Sequence, residues 1–241
     1  MSSKNLHTYS DDSIKYYKNF IEQKLGNIED DWNFNLRMRQ MKSIQDVLVE
    51  EFEFDDIRMI ETGVSGNIYY GMFGLYFANL VDKYGGEIHS VDIDCSVCKS
   101  SEEIIKSEFP NLKYKTYCDD SVHFLKTPPI IPNLIHLDSY DFNLFDPFPS
   151  ALHTWKEFVS IEKLMPAGSI MIVDDNWRNS TVLQWIENGV SELHEIKYPF
   201  IGKGTHLYQE SVANRISWKI VGNHYDTYDN MKLILKKNSS E

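Results

Sequence analysis

Basic residues are scarce in this 241-residue chain: 24 Lys and Arg stand against 36 Asp and Glu, a formal net charge of −12 at pH 7. Such a surface repels phosphate backbones over most of its area, so no nucleic-acid partner is expected. Long apolar runs are missing as well. No stretch approaches the roughly 20 residues that a transmembrane helix needs, so no membrane partner is expected. The start, Met1-Ser2-Ser3-Lys4-Asn5-Leu6, lacks the apolar centre of a signal peptide, and a cytoplasmic location is the expectation. Cysteine is rare. Cys95, Cys98 and Cys118 include one C-x-x-C, the spacing of a redox motif or of half a zinc site. A zinc site needs further ligands at suitable spacing, and neither a second C-x-x-C nor a paired-His motif is present; thiols in a reducing compartment are therefore expected. Internal repeats and low-complexity tracts are also absent. The length can bury one full core, which favours one domain with additions over two equal ones.

What is present is a change of pattern near residue 55. Before it, Ile14, Tyr17, Ile21 and Leu25 recur at helical spacing up to Gly26, and Met41, Ile44, Leu48 and Phe52 form a second apolar stripe. Residues 1–54 are thus predicted to be a helical extension, a lid or an oligomer contact. From Arg58 onward, short apolar runs alternate with amphipathic stretches, the signature of βαβ units and a mostly parallel sheet. Strands are predicted at 58–62, 87–93, 112–118, 134–139 and 169–174. Helices are predicted at 68–83, 96–108, 120–126, 150–165 and 178–190. Two more strands, within 216–221 and 231–235, are joined by a polar link that suits an antiparallel pair, which makes seven strands. Residues 195–215, with Pro199, Gly202, Lys203 and Gly204, are too long for a simple connector and are predicted to be a substrate or subunit-contact loop.

The strand ends carry the chemistry. Arg58-Met59-Ile60-Glu61-Thr62-Gly63-Val64-Ser65-Gly66 is an apolar strand ending in an acid and a small-residue turn, and Ile88-His89-Ser90-Val91-Asp92 is a second strand tipped by a carboxylate. Sheets of this class bind ligands beyond the carboxyl ends of their strands, where backbone can approach closely and an acid can grip a ribose diol. A dinucleotide-binding turn would read G-x-G-x-x-G. Gly63 and Gly66, followed by Gly71 and Gly74, do not, which disfavours a pyrophosphate ligand and an NAD-dependent oxidoreductase. With Glu61 ahead of the first glycine, the turn suits a ligand that presents a positive group and a ribose. S-adenosylmethionine, a sulfonium with a free amine, meets that description. Each acid taken singly has a second reading as a helix cap: Glu61, Asp92 or Asp94, and Asp120.

With these motifs the chain resembles the class I S-adenosylmethionine-dependent methyltransferases over residues 55–236. The acid and turn match Glu61 to Gly66, the acid ending the second strand matches Asp92, and the turn after the third strand matches Cys118-Asp119-Asp120-Ser121, where the family often has glycine in place of Asp119. The resemblance implies a Rossmann-like α/β fold, a seven-stranded sheet with helices on both faces, in a domain spanning 55–241. It implies that Glu61, Gly63, Ser65 and Gly66 cradle the cofactor, that Asp92 holds the ribose, that Asp120 and Ser121 meet the adenine, and that Asp138 lies beside the donor.

Leu134-Ile135-His136-Leu137-Asp138-Ser139-Tyr140-Asp141 and Ile170-Met171-Ile172-Val173-Asp174-Asp175-Asn176 end two strands that the family's order makes neighbours. Several hard oxygen ligands suit Mg²⁺, which lowers the pKa of a bound hydroxyl. Metal-dependent O-methyltransferases have this arrangement. The catechol and caffeoyl types carry Asp and then Asp-Asn, matching Asp138, Asp175 and Asn176. The macrocin type, acting on sugars, carries Asp-Asp, matching Asp138, Asp174 and Asp175, and shares Thr154-Trp155. Counting from Gly168 favours Asp174 and Asp175, with Asn176 as the replacement for Asp174. Where the catechol type has a lysine, this chain has Asp141, the candidate base; His153, with an unperturbed pKa near neutrality, is the alternative. The resulting expectation is metal-assisted O-methylation of a small-molecule hydroxyl, by a chain that can form a homo-oligomer. A nucleoside-binding or assembly protein of the same fold without catalysis is the alternative.

Overall fold

The computed structural model describes residues 6–26, 31–65, 73–143, 146–184, 194–221 and 231–239. In chain order the elements are α1 (Leu6–Leu25), α2 (Trp32–Glu51), β1 (Ile57–Thr62), α3 (Phe73–Tyr84), β2 (Gly86–Asp92), α4 (Cys95–Glu108), β3 (Lys113–Cys118), α5 (Ser121–Phe124), β4 (Leu134–Leu137), α6 (Phe148–Ile161), β5 (Ile170–Gln184), β6 (His194–Gly202), α7 (Thr205–Val212), β7 (Trp218–Ile220) and β8 (Met231–Lys237).

The central strands are apolar on both faces because both faces are covered. Along β1, Met59 joins the core on the α1–α3 side, and Ile60 joins the core beneath α6 and α7. The sheet order is β3-β2-β1-β4-β5-β8-β7, with β6 paired to β5 off that path. The first five of these strands run parallel, and β8 is antiparallel to both β5 and β7. From β1 the chain winds outward to β2 and β3, then returns to β4 on the other side. That reversal opens a crevice above β1 and β4. Register sets the tips at one level: Thr62 lies opposite Val91 and Leu137, and Leu137 opposite Val173. Acids at positions 92, 138 and 174 follow those residues directly.

Seven strands lie where the sequence predicts them, and the last two are antiparallel as expected. Three expectations are corrected. The helix predicted at 178–190 is instead the continuation of β5 through Gln184, whose partner β6 pairs with it from Gln184 opposite His194 to Asn176 opposite Gly202; residues 185–190 lie outside the described residues. The loop predicted at 195–215 is built mainly of β6 and α7. The strands therefore number eight among the described residues rather than seven. A partner strand that satisfies every other backbone group outweighs the weak helical periodicity of 178–190.

The N-terminal helices belong to the main core. Tyr17 and Ile21 of α1, with Met41, Ile44 and Leu48 of α2, are buried in the same cluster as Leu75 and Phe77 of α3 and Ile234 of β8. Full burial of side chains this size stabilises by about 1.5–3 kcal/mol each. Ser13 of α1 also donates to Asn79 Oδ1 of α3 at 3.0 Å. This packing seats the start of α2, and with it Arg37, beside the crevice. Among the described residues no helix is long and apolar enough to cross a membrane.

Candidate functional site

The crevice forms a cleft of about 600 Å³ at the strand ends. Its upper wall is the turn after β1. Gly63 has φ +77°, and a Cβ there would run into the Asp138 carbonyl, so only glycine lets this turn sit against the end of β4. Asp92 reaches across from β2: its Oδ2 accepts from Val64 N–H at 2.8 Å and its Oδ1 from Asp94 N–H at 2.8 Å. The cap of α4 is Asp94, which accepts from Ser96 N–H at 2.8 Å. Asp92 is thereby freed of the capping reading and left in the cleft wall with Gly63, Val64, Ser65, Asp120 and Ser121. Asp120 does both jobs, lining the cleft while it caps α5 through His123 N–H at 2.8 Å. Glu61 is no cap either. It is buried below the turn, accepting from Ser90 Oγ at 2.9 Å. Gly66 lies outside the described residues.

A glycine turn, an acid crossing from the neighbouring strand, and a parallel sheet with an antiparallel edge now stand together. This is the fold of S-adenosylmethionine-dependent methyltransferases. A methyltransferase of that kind from Clostridium acetobutylicum ATCC 824 superposes with a TM-score of 0.53 at 14% identity, covering 93% of this chain and 99% of that one. TrmN from Thermus thermophilus gives 0.50 at 10% identity over 80% of this chain and 47% of its own. A putative rRNA methylase from Clostridium thermocellum gives 0.53 at 11% identity over 84% of this chain and 97% of its own. These identities speak for the fold alone. No protein-family model and no curated protein matches the chain.

At and beneath the cleft floor lies a set of acids met by the chain's own cations. A register shift between Val173 and Asn176 re-aims the end of β5, and Asp175 adopts φ +50° there. Lys203, only 2% exposed, places Nζ 2.7 Å from Asp138 Oδ1 and 2.9 Å from Asp175 Oδ2. Burial alone would lower its pKa; Asp138, then Asp175, outweigh burial and raise it. Asp174 is buried and ion-paired to Lys232 of β8, with Arg37 of α2 at 3.8 Å. Burial would raise the Asp174 carboxyl, but Lys232 and then Arg37 hold it below the ordinary range. Lys232 and Arg37 both also lie over the Phe73 ring, at 4.2 and 5.3 Å from its centre. Asp138 is pushed upward by burial and then by Asp174, against the pull of Lys203.

These contacts revise the expected metal ligands. His136, Asp138 and Asp174 do present ligand atoms within 4.8 Å of one another. Both carboxylates of that cluster, however, already pair with lysines. Asn176 is withdrawn from the cleft: its Nδ2 donates to Val173 O and Asp174 O at 2.9 and 2.8 Å, and its Oδ1 accepts from Gly204 N–H at 2.8 Å. The donor set predicted for Mg²⁺ does not fit a divalent cation as it stands here.

The side wall holds both candidate bases. Asp141 lines the cleft and is exposed. His153, on α6, bonds through Nε2 to Ser121 Oγ at 3.0 Å, and its ring packs 5.3 Å from Tyr140. Burial lowers its pKa. Ser121 Oγ also reaches Ser139 Oγ at 3.3 Å, which donates to the buried Glu157 at 2.6 Å. Sequence reasoning missed Arg37, Ser139, Glu157, Lys203 and Lys232. Only Lys203 carried a signal, a lysine set between two glycines in a segment already marked as a candidate loop.

The thiol expectation is also corrected. Cys95, the first residue of α4, is disulfide-bonded to Cys118 at the end of β3, with their Cα atoms 4.9 Å apart. Cys98 is free and buried, donating to Tyr117 O at 3.1 Å. The bridge joins the two loops that carry Asp92 and Asp120.

Proposed function

We propose that the chain is an S-adenosylmethionine-dependent methyltransferase acting on a hydroxyl of a small molecule. The observation that carries this reading is Asp92, whose carboxylate is tied to Val64 N–H of the glycine turn and faces the crevice at the sheet's reversal point. When bound there, the cofactor supplies a methyl group made electrophilic by a sulfonium. Asp92 would accept hydrogen bonds from the ribose hydroxyls, the backbone of Gly63 to Ser65 would allow the cofactor's close approach, and Asp120 with Ser121 would meet the base. The net charge of −12 favours a small acceptor over a polyanion. His153 is the residue we assign to accept the hydroxyl proton, because burial keeps its imidazole neutral and able to take one; Asp141 in the same wall is the second candidate. A divalent ion is not part of this proposal, since its expected ligands are engaged by Lys203, Lys232 and Gly204.

Calorimetry with S-adenosylhomocysteine tests the reading. The wild-type chain should bind, and Asp92→Ala should weaken binding by about 1–3 kcal/mol, the cost of a lost charge-assisted hydrogen bond. No binding by the wild type would overturn the proposal. Transfer of labelled methyl groups to hydroxylated small molecules then separates an enzyme from a binding protein of the same fold.

A further inference from the structure

The acids at the ends of β4 and β5 have counter-charge built in. Among the described residues, Asp138 and Asp175 pair with Lys203, and Asp174 with Lys232 and Arg37. Lys203 is the cation held between the two acids that line the cleft, and the local chain exists to deliver it. Gly202 has φ +150°, and a Cβ on it would run into the Asp175 carbonyl and Asn176. A Cβ on Gly204 would press on Leu233 and lie 2.9 Å from Asn176 Oδ1. Between these glycines Lys203 N–H donates to Asp175 O at 3.1 Å, and Gly204 N–H to Asn176 Oδ1 at 2.8 Å. Thr205 Oγ1 closes the turn, donating to Gly202 O at 2.7 Å. The backbone is thus stitched to the end of β5 on either side of the lysine, and its Nζ donates to Asp138 O as well as to the two carboxylates.

We propose that the ammonium of Lys203 is the permanent cation of this site, standing where a divalent ion would otherwise sit, with its three N–H groups spent on Asp138 O, Asp138 Oδ1 and Asp175 Oδ2. This exclusion of metal does not depend on the methyltransferase reading. An incoming dication would have to displace an ammonium held at 2.7 and 2.9 Å, or bind beside it against like-charge repulsion. A lysine is a compact point charge with rotatable donors, suited to bridging two carboxylates from different strands.

The test is titration with Mn²⁺ alone, followed by electron paramagnetic resonance, on the full chain. The wild type should show no saturable site at the cleft. Lys203→Ser, which removes the cation held by Asp138 and Asp175, should gain a saturable Mn²⁺ site with a Kd about tenfold or more below the Mn²⁺ concentration at which the wild type still shows none, and Lys203→Ser combined with Asp138→Asn should lose it. Lys203→Arg should keep Mn²⁺ out. A saturable Mn²⁺ site in the wild type that Asp138→Asn removes would overturn the proposal, and this arm needs no Lys203 variant to fold. Binding of S-adenosylhomocysteine, measured on the same wild-type sample, fails or succeeds independently and judges the methyltransferase reading by itself.

Discussion

A carboxyl at the foot of the cleft wall sets a pH dependence that belongs to one residue. Glu157 is fully buried on α6; Oε1 accepts from Ser139, and Oε2 has no hydrogen-bond partner among the described residues. Burial raises its pKa from 4.5 to about 7, against the pull of Ser139 and Ser121. The folded state therefore binds more protons than the unfolded state between those values. Glu157 contributes its full stability below pH 4.5, and that contribution is lost as pH rises through 7. The shift corresponds to roughly 3 kcal/mol. Glu157→Gln, which keeps an acceptor for Ser139, should gain on the wild type as pH rises from 5 to 8. Urea unfolding at the two pH values measures this; an equal difference at both would assign the effect elsewhere. Glu157 was not legible in the sequence because Ser121, Ser139 and His153, which define its surroundings, come from separate segments. The place of Asp92 in the cleft wall was legible, because it follows from ending an apolar strand.

At the scale of elements, the β3–α4 connection is the part whose behaviour a cross-link decides. The register that sets Asp92 opposite Cys118 brings Cys95, three residues beyond Asp92, to the end of β3. The C-x-x-C spacing drew attention to Cys95 and Cys98 as a pair, yet helical geometry turns Cys98 inward onto the Tyr117 carbonyl. Closing a loop of this separation stabilises by about 3 kcal/mol in the chain-entropy account. Cys95→Ser should lower the melting temperature, and dithiothreitol should bring the wild type down to the variant. Affinity for S-adenosylhomocysteine should fall in parallel, since the bridge braces the loops of Asp92 and Asp120. A wild-type melting temperature indifferent to reductant would show that the bridge does not form. The β5–β6 hairpin illustrates the same limit at this scale: residues 178–184 read as part of a helix until β6 is beside them, because only the pairing partner distinguishes the two.

For the molecule as a whole, α1 and α2 share one core with the sheet, so the extension and the domain should unfold together. A ligand bound only by the folded chain raises its stability by about 2.7 kcal/mol at a hundredfold excess over its Kd. S-adenosylhomocysteine should therefore raise the single melting transition, and NAD should leave it in place. A shift with NAD alone would return the oxidoreductase reading. By itself, the sequence determined the parallel sheet, the glycine turn and the acids at its strand ends, because apolar runs, turn residues and strand-ending carboxylates act through neighbours along the chain. Only the tertiary structure decided what those acids meet. Arg37, Lys203 and Lys232 arrive from α2, the β6–α7 turn and β8, and charge pairing depends on distance in space, which no spacing along the chain records.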